Sequence, residues 1–213
     1  MAFRERLLVG ELSFSDKASW LPVTLQQARE QCRIAGSYDD ATLTRLIQVA
    51  NEYLGTHFGI YCVRANFLWR TNWPDSSVIA LPVWPVSGVS SVKYIDEAGA
   101  EQTLAETEYE VLTYGVPAAI VSRRAPNWMD VHQPGRTRLI FWPTTSPSSV
   151  LPVTIRGVSG WDSVGDIPAA IQHAILLLVS EWYERRTATD VLSQETAYGV
   201  SMLLAPYAWR MTA

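Results

Sequence analysis

Along the chain the spacing of apolar residues changes twice, from helical to alternating and back to helical. Thr24 and Gln27 have capping-box spacing, in which the hydroxyl accepts from the amide three residues on and the glutamine side chain reaches back. Leu25, Ala28 and Cys32 then fall on one helical face, with Pro22 safely upstream and Gly36 as the expected stop. A second helix is expected from Asp39 and Asp40, whose charges suit the positive end of a helix dipole. Leu43, Leu46, Ile47, Ala50 and Leu54 carry its stripe, and Gly55 or Gly59 ends it. Two short helices joined by a brief polar turn should pack as an antiparallel pair.

From Tyr61 the period becomes two, as Tyr61, Val63, Ala65, Phe67 and Trp69 alternate with Cys62, Arg64, Asn66, Leu68 and Arg70. Further strands are expected at 78–81, 89–95, 109–112, 119–122, 136–141 and 153–158, with a hairpin turn at Asp96-Glu97-Ala98-Gly99. Prolines at 74, 82, 85, 117, 126, 134, 143, 147 and 152 punctuate the region and keep its strands short. Residues 144–149 read as a polar loop.

The third helix has Asp166 and Pro168 at its start and Arg185 and Arg186 at its end, matching both poles of the dipole. Ile171, Ala174, Ile175, Leu178, Val179 and Trp182 form its stripe, and Leu176 and Leu177 widen it, so this helix should have partners on more than one side. Residues 187–195 read as a polar linker, followed by a short amphipathic piece at 200–204 that Pro206 stops. The tail carries Tyr207 and Trp209, large side chains that should dock on the parent domain or on a partner.

The fold class is therefore α+β: a small helical bundle, two N-terminal helices plus one long C-terminal helix, with an inserted small antiparallel β domain and an extended C-terminal tail. The expected divisions are an N-terminal extension (1–20), a bundle core (21–59 and 165–187), the β insertion (60–164) and a linker with docking tail (188–213).

Of 213 residues 48% are hydrophobic and 18% charged, which places the chain among globular proteins. No apolar run approaches the ~20 residues that span a bilayer, and the N-terminus lacks a signal-peptide core. With a net charge of −4 and only small basic clusters, Arg123-Arg124 and Arg136 with Arg138, sequence-specific grip on nucleic acid is not expected. Cys32 and Cys62 read as small buried hydrophobes. His57, His132 and His173 are scattered, with none at ligand spacing, and Gly157-Val158-Ser159-Gly160 is no nucleophile elbow. Glu106, Glu108 and Glu110 could line one strand face and read as a solvated edge. No enzyme, metal or cofactor site is expected. The nine tryptophans could serve the core, an interaction surface, or a carbohydrate- or peptide-binding face.

Several pieces in order resemble the head–tail connector (adaptor) family of tailed phages, the long-tailed phage and prophage type with a β insertion. Leu21-Pro22-Val23-Thr24-Leu25 with Ala28, then Asp39-Asp40, Leu43, Leu46-Ile47, Ala50 and Tyr53, look like that family's first helical pair. Leu81-Pro82, Pro85-Val86, Val92-Lys93-Tyr94-Ile95-Asp96, Gly99 and Gln102-Thr103-Leu104 look like its β region. Ile167-Pro168, Ile171, Ala174 through Leu178, Trp182-Tyr183 and Arg185 look like its long helix, and Leu203-Leu204 with Pro206-Tyr207 like its closing motif. The extension through Trp20 and the tryptophan-rich stretches near Trp69, Trp73 and Trp142 have no counterpart in that pattern.

The resemblance implies a structural subunit of a homo-oligomeric ring, typically of twelve, beneath the portal at the neck of the virion, synthesised in the host cytoplasm. Its implied partners are the portal protein above and a stopper, tail-terminator or tail protein below, with genomic DNA passing through the channel without sequence-specific binding and no membrane involved. On this reading Leu203, Leu204, Pro206, Tyr207 and Trp209 dock on the portal, and Ile171, Ile175, Leu178, Trp182, Tyr183 and Arg185 serve the ring or bundle interface. The alternatives are a stopper or tail-terminator neck protein and, in another class, a tryptophan-rich carbohydrate- or peptide-binding module.

Overall fold

The computed structural model describes residues 10–124, 127–130, 137–185 and 193–208. The chain forms two compact units. One comprises the residues through Asp16, Ala65–Pro82 and Val86–Ser159, and the other Lys17–Arg64, Val83–Pro85 and the residues from Gly160 onward.

The first unit is all β. Its main sheet has five antiparallel strands in the order β1 (Gly10–Ser15), β2 (Ala65–Thr71), β10 (Val153–Ser159), β4 (Val86–Ile95) and β5 (Glu101–Thr103). A smaller sheet joins β3 (Val78–Ala80), β7 (Ala119–Ser122) and β6 (Tyr109–Leu112), and β8 (Asn127–Asp130) pairs with β9 (Thr137–Ile140). Alternation decides which side faces inward: Ala65, Phe67, Trp69 and Thr71 of β2 are buried while Asn66 and Arg70 are exposed. Opposite them across the ladder, Val153 and Ile155 of β10 are fully buried. Trp142 stacks on Trp73 at 4.7 Å between ring centroids and donates its indole N–H to the Ser76 carbonyl at 2.8 Å. The Asp96 carboxylate closes the β4–β5 hairpin by accepting from the Ala98 and Ala100 amides.

β1 lies in what the sequence marks only as an N-terminal extension. It is an edge strand, with Leu12 opposite Trp69 and Phe14 opposite Phe67. Alternation beginning at Tyr61 had placed the start of β2 too early. Ile60 and Cys62 are fully buried in the helical core, and Ile60 and Val63 bridge singly to Trp84 and Trp161. Gly160 makes the Val63 contact possible: its φ is +91°, and a Cβ there would lie 2.5 Å from the Val63 backbone.

The second unit is helical, with α1 (Leu25–Gln31), α2 (Asp40–Phe58), α3 (Ala169–Arg185) and α4 (Gln194–Leu204). Thr24 and Gln27 form the capping box: Thr24 Oγ1 accepts from Gln27 N at 3.2 Å, and Gln27 Oε1 from Thr24 N at 2.8 Å. α1 stops before Gly36 because Arg33 takes the left-handed conformation, φ 56°, with Ile34 N–H bonded to the Arg29 carbonyl and Arg33 N–H to that of Glu30. α2 runs through Gly55 and ends at Gly59, φ 70°. The Arg29 guanidinium holds both oxygens of Asp40 and so fixes α1 to α2. α3 packs against α1, α2 and α4 around a core of Leu43, Ile47, Leu54, Ile171, Ile175 and Leu178, all fully buried.

Candidate assembly surfaces

Ile171, Ile175 and Leu178 have no exposed surface. Of the two expected roles, ring or bundle, these three residues take the bundle position: α1, α2 and α4 of the same chain pack on α3 around them. Trp182 is half-buried and meets Tyr53 edge-on at 6.0 Å. The Tyr183 hydroxyl donates to the Asp39 carboxylate. Arg185 Nε lies 2.9 Å from Glu181 Oε1.

The closing segment is a helix rather than a loose tail. Residues 187–192 of the expected linker lie outside the described residues, but Ser193 is already the N-cap of α4, accepting from Thr196 N at 3.2 Å, and Glu195 is in its first turn. Val200 and Leu204, one turn apart, are buried in the helical core, with Leu203 and Tyr207 packed against it. The Tyr207 ring lies 5.5 Å from Trp84. Pro206 is exposed, and Trp209 lies outside the described residues. Leu204 is thus a core residue, because the 194–204 segment has enough amphipathic length to pack on α3.

A carboxylate on α3 holds this helix in place. Glu181, whose side chain is 14% exposed, accepts from Ser193 N–H through Oε1 and from the Thr196 hydroxyl through Oε2, both at 3.1 Å. Its negative charge therefore faces the N-terminus of α4, the positive end of that helix's dipole. Burial pushes the carboxyl's pKa up, but the Ser193 N–H, the Thr196 hydroxyl and Arg185 outweigh it and hold it below the ordinary carboxylate value. Sequence reading missed Glu181. The only local signal was Ser193 three residues before Thr196, a capping pattern inside an apparent linker.

On the helical unit four large apolar side chains remain exposed among the described residues: Tyr38, Val49, Tyr198 and Met202, the last two one turn apart on α4. On the β unit, Tyr114, Val116 and Val150 stand out in loops. Glu106 and Glu108 fall in a 3₁₀ turn and only Glu110 is on β6, so the three do not line one strand face. Glu108 pairs with Arg124 at 3.0 Å and Glu110 with Arg123 at 3.2 Å. Trp69 and Trp142 are buried, while Trp20, Trp73, Trp84, Trp161 and Trp182 are half-buried against their own cores. These rings offer no open stacking platform for a sugar. Among the described residues, no three His, Cys, Asp or Glu side chains converge on a metal position, and no helix is long and apolar enough to cross a membrane. Cys62 is buried, which pushes its thiol up to about 12.

The described residues thus present packed helices, a carboxylate that clasps a helix end and several exposed apolar side chains. The resemblance read from the sequence is borne out: residues 22–113 match the family model of the phage gp6-like head-tail connector protein. Among solved structures, the chain is similar in fold to one in "Neck of empty GTA particle computed with C6 symmetry", with TM-score 0.66 and 18% identity over 95% of this chain and 97% of that one. A chain in "Virion of native gene transfer agent (GTA) particle" aligns with TM-score 0.65 and 17% identity over 95% and 97% of the two chains. One in "Neck of native GTA particle computed with C12 symmetry" gives 0.61 and 18%, over 94% and 97%. No curated protein matches the chain.

Proposed function

We propose that this chain is a head–tail connector, or adaptor, subunit in the neck of a phage-like particle. Copies form a ring of twelve beneath the portal, extend the DNA channel and join the capsid to a stopper, tail-terminator or tail protein. The observation that carries this reading is the connector-family match over 22–113, which spans α1, α2 and the first half of the β unit. The fold likeness adds support, since it extends over 95% and 94% of the chain to proteins in necks computed with C6 and C12 symmetry respectively. A ring of twelve satisfies both symmetries. The net charge of −4 suits a channel through which DNA must slide without being gripped.

Within this proposal the portal-directed anchor is the chain beyond Ala205. Val200 and Leu204 are committed to the core, whereas Pro206 is exposed and Tyr207 half-buried. Trp209 is the further aromatic in that stretch.

The test is mass measurement and electron microscopy of the protein alone and mixed with its portal. A closed ring seated on the portal is expected. A protein that stays monomeric with portal present overturns the ring. A position remote from the portal would transfer the chain to the stopper or tail-terminator reading.

A further inference from the structure

A ring of identical copies needs two different surfaces on each copy that complement one another, because its contacts run head to tail. The helical unit carries such a pair. α2 and α4 both pack on α3 and make no substantial contact with each other, so their outward faces belong to separate flanks of the bundle.

On the α2 flank, Arg45 and Val49 lie one turn apart on a single stripe, and both are exposed. Tyr38, 75% exposed, stands just before the Asp39 cap of the same helix. On the α4 flank, Glu195, Tyr198 and Met202 follow at i, i+3 and i+7. All three are exposed, Tyr198 at 68% and Met202 at 58%. Each flank thus sets an exposed apolar side chain about one turn from a charge, Val49 beside Arg45 and Tyr198 beside Glu195, and the two charges are opposite in sign. Neither Arg45 nor Glu195 forms an ion pair or side-chain hydrogen bond with a described residue. α4 therefore shows apolar side chains on both sides. Val200 and Leu204 face its own α3, while Tyr198 and Met202 face outward.

We propose that the outer face of α4 in one copy docks on the outer face of α2 in the next, setting Glu195 against Arg45 and Tyr198 and Met202 around Val49. The proposal rests on the ring reading above. The charges set direction and register, and the apolar side chains are the surface removed from water. The occupant is a second copy because the complementary patch, with the opposite charge, lies on the other flank of this same chain.

The test is charge exchange in the full chain, read by sedimentation and electron microscopy with and without portal. Arg45→Glu and Glu195→Arg each set like charges face to face. Each should weaken the contact at least about tenfold and abolish rings at concentrations where the unaltered chain forms them. The double variant restores the opposite pair and should recover the ring, which damage to folding could not produce. In a Cys32→Ser background, Val49→Cys with Met202→Cys should give a ladder of covalent oligomers with a short bismaleimide, while buried Cys62 stays silent. Intact rings in both single variants, or rings that yield no ladder, overturn this interface and leave the ring reading standing. Failure of the unaltered chain to form rings with portal present overturns both.

Discussion

At the scale of single residues, Glu181 is the side chain that fixes where α4 begins. It combines a carboxylate, a backbone amide, a hydroxyl and a guanidinium at the one place where α4 begins. Replacing it with alanine leaves the Ser193 N–H without its acceptor, and we expect a loss of about 1–2 kcal/mol. Hydrogen exchange should show that loss first in α4. Because the folded carboxyl titrates below its unfolded value of roughly 4.3, its contribution is complete above that pH. The contribution is lost as pH falls through the folded value. Glu181→Gln should remove this acid-dependent loosening of α4. If α4 exchanges with the same pH profile in the glutamine variant, the clasp is not electrostatic.

At the scale of elements, α1 shows how local chemistry sets both ends of a helix. Its start follows the expected rule, with Thr24 and Gln27 reciprocally bonded, and Thr24→Ala should cost about 1 kcal/mol. Its end breaks the rule, since exposed Arg33 occupies a left-handed position that glycine fills more readily. Arg33→Gly should therefore stabilise the protein by up to about 1 kcal/mol. Thermal or urea unfolding of the two variants checks both signs. The site was less legible than the helices themselves. The α3 stripe was plain in the spacing of Ile171, Ile175 and Leu178, yet nothing in that spacing said that α1, α2 and α4 of the same chain would cover it. The exposed partners, Tyr198 and Met202, fall in a segment split in sequence between an apparent linker and a short amphipathic piece.

At the scale of the whole molecule, exposed apolar side chains occur on both units. The helical unit holds the exposed patches used in the ring proposal and the segment that leads to the end of the chain, while the β unit presents Tyr114, Val116 and Val150 in its loops. Removing only Ala208 to Ala213 tests the anchor without opening the core, because α4 and Tyr207 are kept. The shortened chain should fold with an unchanged unfolding midpoint and lose most of its binding to portal. Full-strength co-sedimentation with portal would rule out any part of the anchor beyond Tyr207. The many copies in a ring multiply even a weak anchor, so the loss should be steeper for rings than for single copies.

What the amino-acid sequence determined by itself is the set of local elements: two periods, 3.6 and 2, and the chemistry of caps and turns at Thr24, Gly59 and Asp96. These depend on neighbours along the chain, so a linear reading reaches them. Only the tertiary structure decided that 60–63 serve the helical core and that 10–15 add a sheet edge. It alone decided that Leu204 is buried and that Glu181 reaches Ser193. A stripe of apolar residues states that a face must leave water. Which surface covers it depends on residues far away in sequence, and that choice is made only when the chain packs.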